Sequence, residues 1–263
     1  MRQIFAHLHI PKCGGTTVAD VLSRNFGAGL STTNSILNDY QYNAAQIARI
    51  IDSHPQLKCI TGHKLSLDLP FDRKDLDIHA FTWIRDPVDR FVSHYFYHRS
   101  HTNLVPEAKT MNLLEYTEWA LKYKNQKMYI NGQTKFLSGG SMKTIRSMVK
   151  DEKLLIFPLS KLHESFYTLA QRYPDAFTRA MKKNKNISRK DQAVPSGFRE
   201  LVLPYVEEDM CLLELSKQTK LEDEMPHRQN HLLGKEHIAE VRIIAFQSAN
   251  FLHRVARFIE KQC

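Results

Sequence analysis

Near its start the chain reads HLHIPKCGGTT, His7 to Thr17, where a lysine, two glycines and two threonines follow an apolar run. If that run is a strand and the threonines open a helix, the turn between them aims backbone N–H groups at one spot, and the helix dipole adds partial positive charge. A phosphate or sulfate group suits such a place. Gly14 and Gly15 let the main chain approach an anion closely, Thr16 and Thr17 offer hydroxyl donors, and Lys12 brings a full charge. A Walker A loop needs its lysine after the glycines, whereas Lys12 precedes them, and no G-x-G-x-x-G is present. The missing Walker lysine weakens the competing reading, a small-molecule kinase of the P-loop type.

Two further segments carry groups suited to the same chemistry. In TWIRDPVDRFVSHY, Thr82 to Tyr95, Arg85 ends an apolar run and Ser93 lies about two turns into the helix expected to follow, so both can reach one anion. In KCITGHKL, Gly62 ends a β-rich run and His63 emerges just beyond it. A neutral imidazole there would take the proton from an attacking hydroxyl, with His94, beside Ser93, as the competing base. Cys13, next to Lys12 and near a helix N-terminus, is expected to have a lowered thiol pKa. His94 with His98, and His227 with His231, stand at helical i, i+4 spacing, but no third ligand falls at a recognisable interval, so no metal is expected.

The elements that must position these groups alternate between strand and helix. IFAHLHI is a predicted strand, and TTVADVLSRNF a helix that a threonine can cap and that buries Val18, Val21, Leu22 and Phe26. A polar loop is expected from Gly27 to Asn43, then a short helix AAQIARIID and a second strand LKCITGHKL. IHAFTWIR, apolar enough for burial on both faces, is the third strand. DPVDRFVSHYFYHRS comes next as a helix, with Asp86 as cap, Pro87 in the first turn, and Phe91, Val92, Tyr95 and Phe96 on one stripe. Residues 112–124 read as helix, KLLIFPL as a fourth strand, and 160–183, 197–217 and 235–261 as amphipathic helices, with a basic polar connection from Met181 to Gly197. Such alternation predicts an α/β fold, a central parallel sheet flanked by helices with a helix-rich C-terminal half, in a single domain over residues 1–263. Ligands of such sheets bind at the carboxyl ends of the strands, where Lys12, His63 and Arg85 all fall. The loops over 27–45 and 99–112 are the expected walls of an acceptor site.

A formal charge of +9 and a pI near 9.3 favour anionic partners, among them nucleotides, acidic glycans, nucleic acid or a membrane face. No helix-turn-helix, zinc-finger or RNP-type signature is evident, which disfavours a non-catalytic basic nucleic-acid-binding protein. Four cysteines without CxxC spacing, no signal peptide and no stretch of about 18 apolar residues predict a protein of the cytoplasm without a membrane span.

HIPKCGGTT together with IRDPVDRFVSHY resembles the paired phosphosulfate-binding motifs of the sulfotransferases that use 3′-phosphoadenosine 5′-phosphosulfate (PAPS). The likeness is to the carbohydrate branch, particularly heparan sulfate and uronyl 2-O-sulfotransferases. It implies a P-loop-like fold, with the 5′-phosphosulfate held by Lys12, Gly14, Gly15, Thr16 and Thr17 and the 3′-phosphate by Arg85 and Ser93. ITGHKLSLDL resembles the segment carrying the catalytic base, which places that role on His63 beside a catalytic Lys12. Weaker echoes lie in NGQTKFLSGG, LLIFPLSKLHES and NKNISRK, so the likeness touches most of the chain. The resemblance implies sulfuryl transfer to a hydroxyl of a glycan or small molecule, with PAPS as co-substrate and no metal. Golgi members carry a membrane anchor and usually disulfides, neither of which is visible here, which points to a soluble, bacterial-type relative.

Overall fold

Four of the apolar runs become adjacent strands of one sheet in the computed structural model, which describes residues 1–33, 41–101, 105–122, 126–179 and 194–223. The expected helix over 235–261, the pair His227 and His231, Cys263 and most of the basic connection lie outside those residues. The strands are β1 (Arg2–Leu8), β2 (Leu30–Thr32), β3 (Cys59–Gly62), β4 (Leu76–Ile84) and β5 (Leu154–Pro158), all parallel, in the order β2-β3-β1-β4-β5. β1 is therefore central, with Leu8 opposite Gly62 of β3 and His7 opposite Phe81 of β4. β2 is the strand that sequence reading missed: it is three residues long, at the edge, inside the expected loop, and too short to show an alternating pattern.

The helices are α1 (Gly15–Phe26), α2 (Ala44–Ser53), α3 (Pro87–His101), α4 (Leu113–Lys122), α5 (Gln126–Tyr129), α6 (Gly132–Ser138), α7 (Met142–Lys150), α8 (Leu162–Arg172), α9 (Phe198–Val202) and α10 (Glu207–Lys217). Successive residues of a strand face opposite sides, so β1 feeds two cores. Ile4, Ala6 and Leu8 pack with Ile47 and Ile51 of α2, Ile145 of α7 and Leu212 of α10. Phe5, with Phe81 and Trp83 of β4, packs against Val18, Val21 and Leu22 of α1 and Phe166 and Leu169 of α8. Each such side chain stabilises the sheet by about 1.5–3 kcal/mol on full burial, which fixes where the strand ends lie. A third cluster holds α3 through Phe91, Val92 and Tyr95 against Tyr116 of α4 and Phe198 and Val202 of α9.

Helix ends follow side-chain chemistry where it is present. Asn43 and Gln46 form a capping box on α2, and Asp86 Oδ1 accepts the N–H groups of Val88 and Asp89 at 3.0 and 3.1 Å, capping α3 as expected. The helix expected over 160–183 stops at Arg172, two residues before Pro174, and that over 197–217 divides into α9 and α10 around Pro204, whose ring removes an N–H donor. Among the described residues no helix is long and apolar enough to cross a membrane.

Candidate active site

After Leu8 the chain leaves the sheet and turns through His9–Gly14 into α1. Lys12 and Gly14 both take left-handed backbone, φ 67° and 78°, a conformation easy for glycine and costly for lysine. Gly14, not a threonine, is the residue that caps α1, and no side chain bonds to the helix end. The turn needs the left-handed position before the helix begins, which places both threonines inside the first turn. Its early N–H groups are thus left pointing out of the helix with no side-chain oxygen over them. Thr17 N–H already bonds to the Gly14 carbonyl at 3.0 Å. Gly15 serves a different need, since a Cβ there would lie 1.5 Å from His9 Nε2.

On the β3 side of this turn three imidazoles form a column. His7 stacks on His9 with centroids 5.4 Å apart, and His9 lies 4.0 Å from the ring of His63, the first residue beyond β3. His63 Nδ1 is 2.7 Å from the His9 carbonyl oxygen. A carbonyl only accepts, so Nδ1 carries the hydrogen and Nε2 keeps its lone pair. Burial and the neighbouring His63 push His9 down to about 3, burial holds His7 far below the usual histidine value, and burial lowers His63 against the opposing pull of the His9 carbonyl. The column is neutral at physiological pH.

On the β4 side the groups are cationic. Arg85, the first residue beyond β4, sends Nη1 to the Lys12 carbonyl at 3.3 Å, and Lys12 Nζ lies 4.0 Å from the Tyr97 ring centroid, over its face. Burial, then Arg85, lowers Lys12 to about 8. Ser93 is buried on the second turn of α3. Arg90, 3% exposed, donates from Nε to the Pro11 carbonyl and from Nη1 to the Met128 carbonyl, at 3.0 and 2.9 Å, tying α3 to the turn after β1 and to α5.

These segments leave three neighbouring strands, β3, β1 and β4, at their carboxyl ends, so His63, the Lys12–Thr17 turn and Arg85 emerge along one edge of the sheet. Over this same region the profile of the sulfotransferase family matches, covering residues 2–213. The chain belongs to the sulfotransferase family. Its reaction class is sulfuryl transfer. The crystal structure of a sulfotransferase from Alicyclobacillus acidocaldarius is similar over 84% of this chain and 98% of that one, at 13% identity and a TM-score of 0.49. Mouse sulfotransferase SULT7A1, solved as a complex with PAP, is similar over 81% and 89%, at 17% identity and a TM-score of 0.47. No curated protein matches the chain.

One sequence expectation changes in this sulfotransferase, and the structure places the two other histidines that the sequence singled out. Cys13 is 3% exposed, its thiol donates to Gln133 Oε1 at 3.2 Å, and burial raises its pKa, the reverse of the expected activation. Loss of water outweighs the lowering pull of Arg90 and Arg85. His94 is 2% exposed and both its ring nitrogens lack partners, 5.6 Å in ring separation from Tyr129, so it is enclosed where His63 is exposed. His94 and His98 have rings 5.7 Å apart, yet no group of three potential ligands surrounds a point among the described residues.

Sequence reading missed the groups behind the site. Gln133 and Thr134 of α6, fully buried, receive the carboxylate of Asp209 from α10: Oδ2 accepts Gln133 N–H at 2.9 Å, and Oδ1 accepts Thr134 N–H and hydroxyl at 2.8 and 2.9 Å. In return Asn131 Oδ1 accepts the N–H groups of Glu208 and Asp209 at the start of α10. The polar run Asn131, Gly132, Gln133, Thr134 was the available signal, since buried amides and carboxylates need partners.

Proposed function

We propose that this sulfotransferase moves the sulfuryl group of PAPS to a hydroxyl, with a carbohydrate as the acceptor class, and that His63 takes the acceptor proton. The observation carrying this reading is the convergence at one sheet edge of an imidazole with a free Nε2, a helix N-terminus without a side-chain cap, and two cations. Carbohydrate as acceptor rests on the likeness of HIPKCGGTT and IRDPVDRFVSHY to the carbohydrate branch. One domain over 1–263 and a cytoplasmic setting belong to the same reading, the latter supported by Cys13, Cys59 and Cys211 being free thiols.

When bound, PAPS supplies an electrophilic sulfur and a phosphate leaving group. The loop from Lys12 to Thr17 fits that group: the left-handed backbone at Gly14 opens α1 with no side chain bonded to its end, and Lys12 is cationic below pH about 8. His63 Nε2 accepts the proton as the acceptor oxygen bonds to sulfur, and the bond from sulfur to the 5′-phosphate oxygen breaks with its electron pair leaving on that oxygen. Lys12, the amides of Gly14, Gly15 and Thr16 and the hydroxyls of Thr16 and Thr17 stabilise the charge that accumulates there. Arg85 and Ser93 hold the 3′-phosphate. His94 is enclosed, which favours His63 over it as the base.

Thermal unfolding tests the donor. The desulfated product, 3′-phosphoadenosine 5′-phosphate, should stabilise the protein by about 2.7 kcal/mol at a hundred times its Kd, well beyond ATP at the same concentration. Equal stabilisation by ATP would favour the kinase reading. Sulfur-labelled PAPS offered with glycans, phenols and lipids then identifies the acceptor.

A further inference from the structure

Arg85 is the first residue past the end of β4, where the sheet no longer holds the main chain. One buried carboxamide takes over. Gln133 Oε1 accepts the Arg85 N–H at 3.0 Å while Gln133 Nε2 donates to the Arg85 carbonyl at 2.9 Å, so a single side chain engages both main-chain groups of that residue. The same Oε1 also accepts the Cys13 thiol at 3.2 Å, inside the turn between β1 and α1. Only one placement of the amide satisfies this set, because a reversed amide would face N–H against N–H. Gln133 is fully buried and its own N–H is held by Asp209, so the carboxamide has little freedom to drift.

We propose that Gln133 is the positioning residue that sets the spacing between the two anion-binding segments and so determines how strongly a 3′-phosphate is recognised. This rests on the PAPS reading above. Gln133 is shielded from any ligand and acts through Arg85, whose guanidinium crosses to the Lys12 carbonyl at 3.3 Å. With its N–H, carbonyl and guanidinium all engaged, Arg85 is set in advance rather than ordered when the donor arrives, which lowers the entropic cost of binding. Cys13, held by the same oxygen, carries the register to the 5′-phosphate loop next to Gly14. Removing the carboxamide releases the main chain of Arg85 and leaves its guanidinium bond to the Lys12 carbonyl as the link to the turn.

The test is the ratio of affinities for 3′-phosphoadenosine 5′-phosphate and adenosine 5′-phosphate, which differ only in the 3′-phosphate. Gln133→Met, close in shape and without the amide, should lower this ratio about tenfold, as expected for losing a pair of buried hydrogen bonds, while affinity for adenosine 5′-phosphate changes by less than about threefold. Gln133→Glu keeps the acceptor and loses one donor; it should fall between wild type and Gln133→Met and serves if the latter fails to fold. Thr134→Val removes a bond to Asp209 from the same helix without touching Arg85, so it should lower stability and leave the ratio intact. Equal losses for both nucleotides in folded Gln133 variants, or a ratio that also collapses in Thr134→Val, would reduce Gln133 to a structural residue. An unchanged ratio in folded Gln133→Met overturns the proposal while the PAPS reading stands, and a wild-type protein indifferent to the 3′-phosphate overturns both.

Discussion

The two sides of the turn after β1 solve opposite electrostatic problems. Toward β4 the site gathers Lys12, Arg85 and Arg90, and the carbonyl oxygens of Lys12, Pro11 and Met128 accept from the two guanidinium groups. Toward β3 it stacks His7, His9 and His63 and keeps them neutral, His7 and His9 by burial and by repulsion from neighbouring imidazoles, His63 by partial loss of water. In the proposed reading this difference is a division of labour: anion binding requires fixed positive charge, and proton removal requires an imidazole that has not already taken a proton.

The sharpest way to break this comparison is to remove the neutral side. His63→Ala should lower kcat by about 10² to 10⁴ while affinity for 3′-phosphoadenosine 5′-phosphate stays within about threefold, measured by steady-state kinetics and nucleotide titration. Loss of turnover and nucleotide binding together would show that the β3 side supports the donor site instead of the proton transfer.

The boundary between the sides can be strained through Gly15. A methyl group there meets the His9 imidazole, which is wedged between His7 and His63 and cannot simply turn away. Gly15→Ala is expected to cost about 1–3 kcal/mol of stability by overpacking, read as a lower midpoint in denaturant unfolding with an unchanged slope. A variant as stable as wild type would mean the column is looser than its ring distances indicate.

The gentlest probe is pH. Lys12 has its pKa lowered to about 8, so its charge is present below that pH and is lost as pH rises through it. His63 lies below the ordinary histidine value, so its base form is already present near pH 7 and is lost only on further acidification. kcat/KM for the donor should therefore decline above pH about 8, tenfold per unit at the limit, with the acid limb displaced below the usual histidine range. Lys12→Arg should abolish the alkaline limb, because guanidinium keeps its charge; an unmoved limb would assign it to another group.

How far each side was legible depends on the sequence separation of its contacts. Lys12, His63, Arg85 and Ser93 stand out because each sits just past the end of a β-rich run, or at a fixed interval inside one helix, and such positions are local patterns. Asp86 as the cap of α3 was readable for the same reason, its partners being two and three residues away. The threonine cap of α1 was misread although it too is local, because the left-handed backbone at Gly14 moved the helix start forward.

By itself the sequence determined which residues carry charge or an imidazole near the strand ends, and that these leave parallel strands at the carboxyl end. Tertiary structure decided which strands are neighbours, since nothing in the order β1, β3, β4 along the chain says that β1 lies between the other two. It also decided that Cys13 is packed rather than activated, and that α6 holds the site from behind. Those outcomes rest on Cys13 meeting Gln133 across 120 residues, Gln133 meeting Arg85 across 48 and Asp209 across 76. Partners so distant in the chain leave no periodic trace, and a buried polar group is paired by whatever the packing of the apolar faces brings beside it.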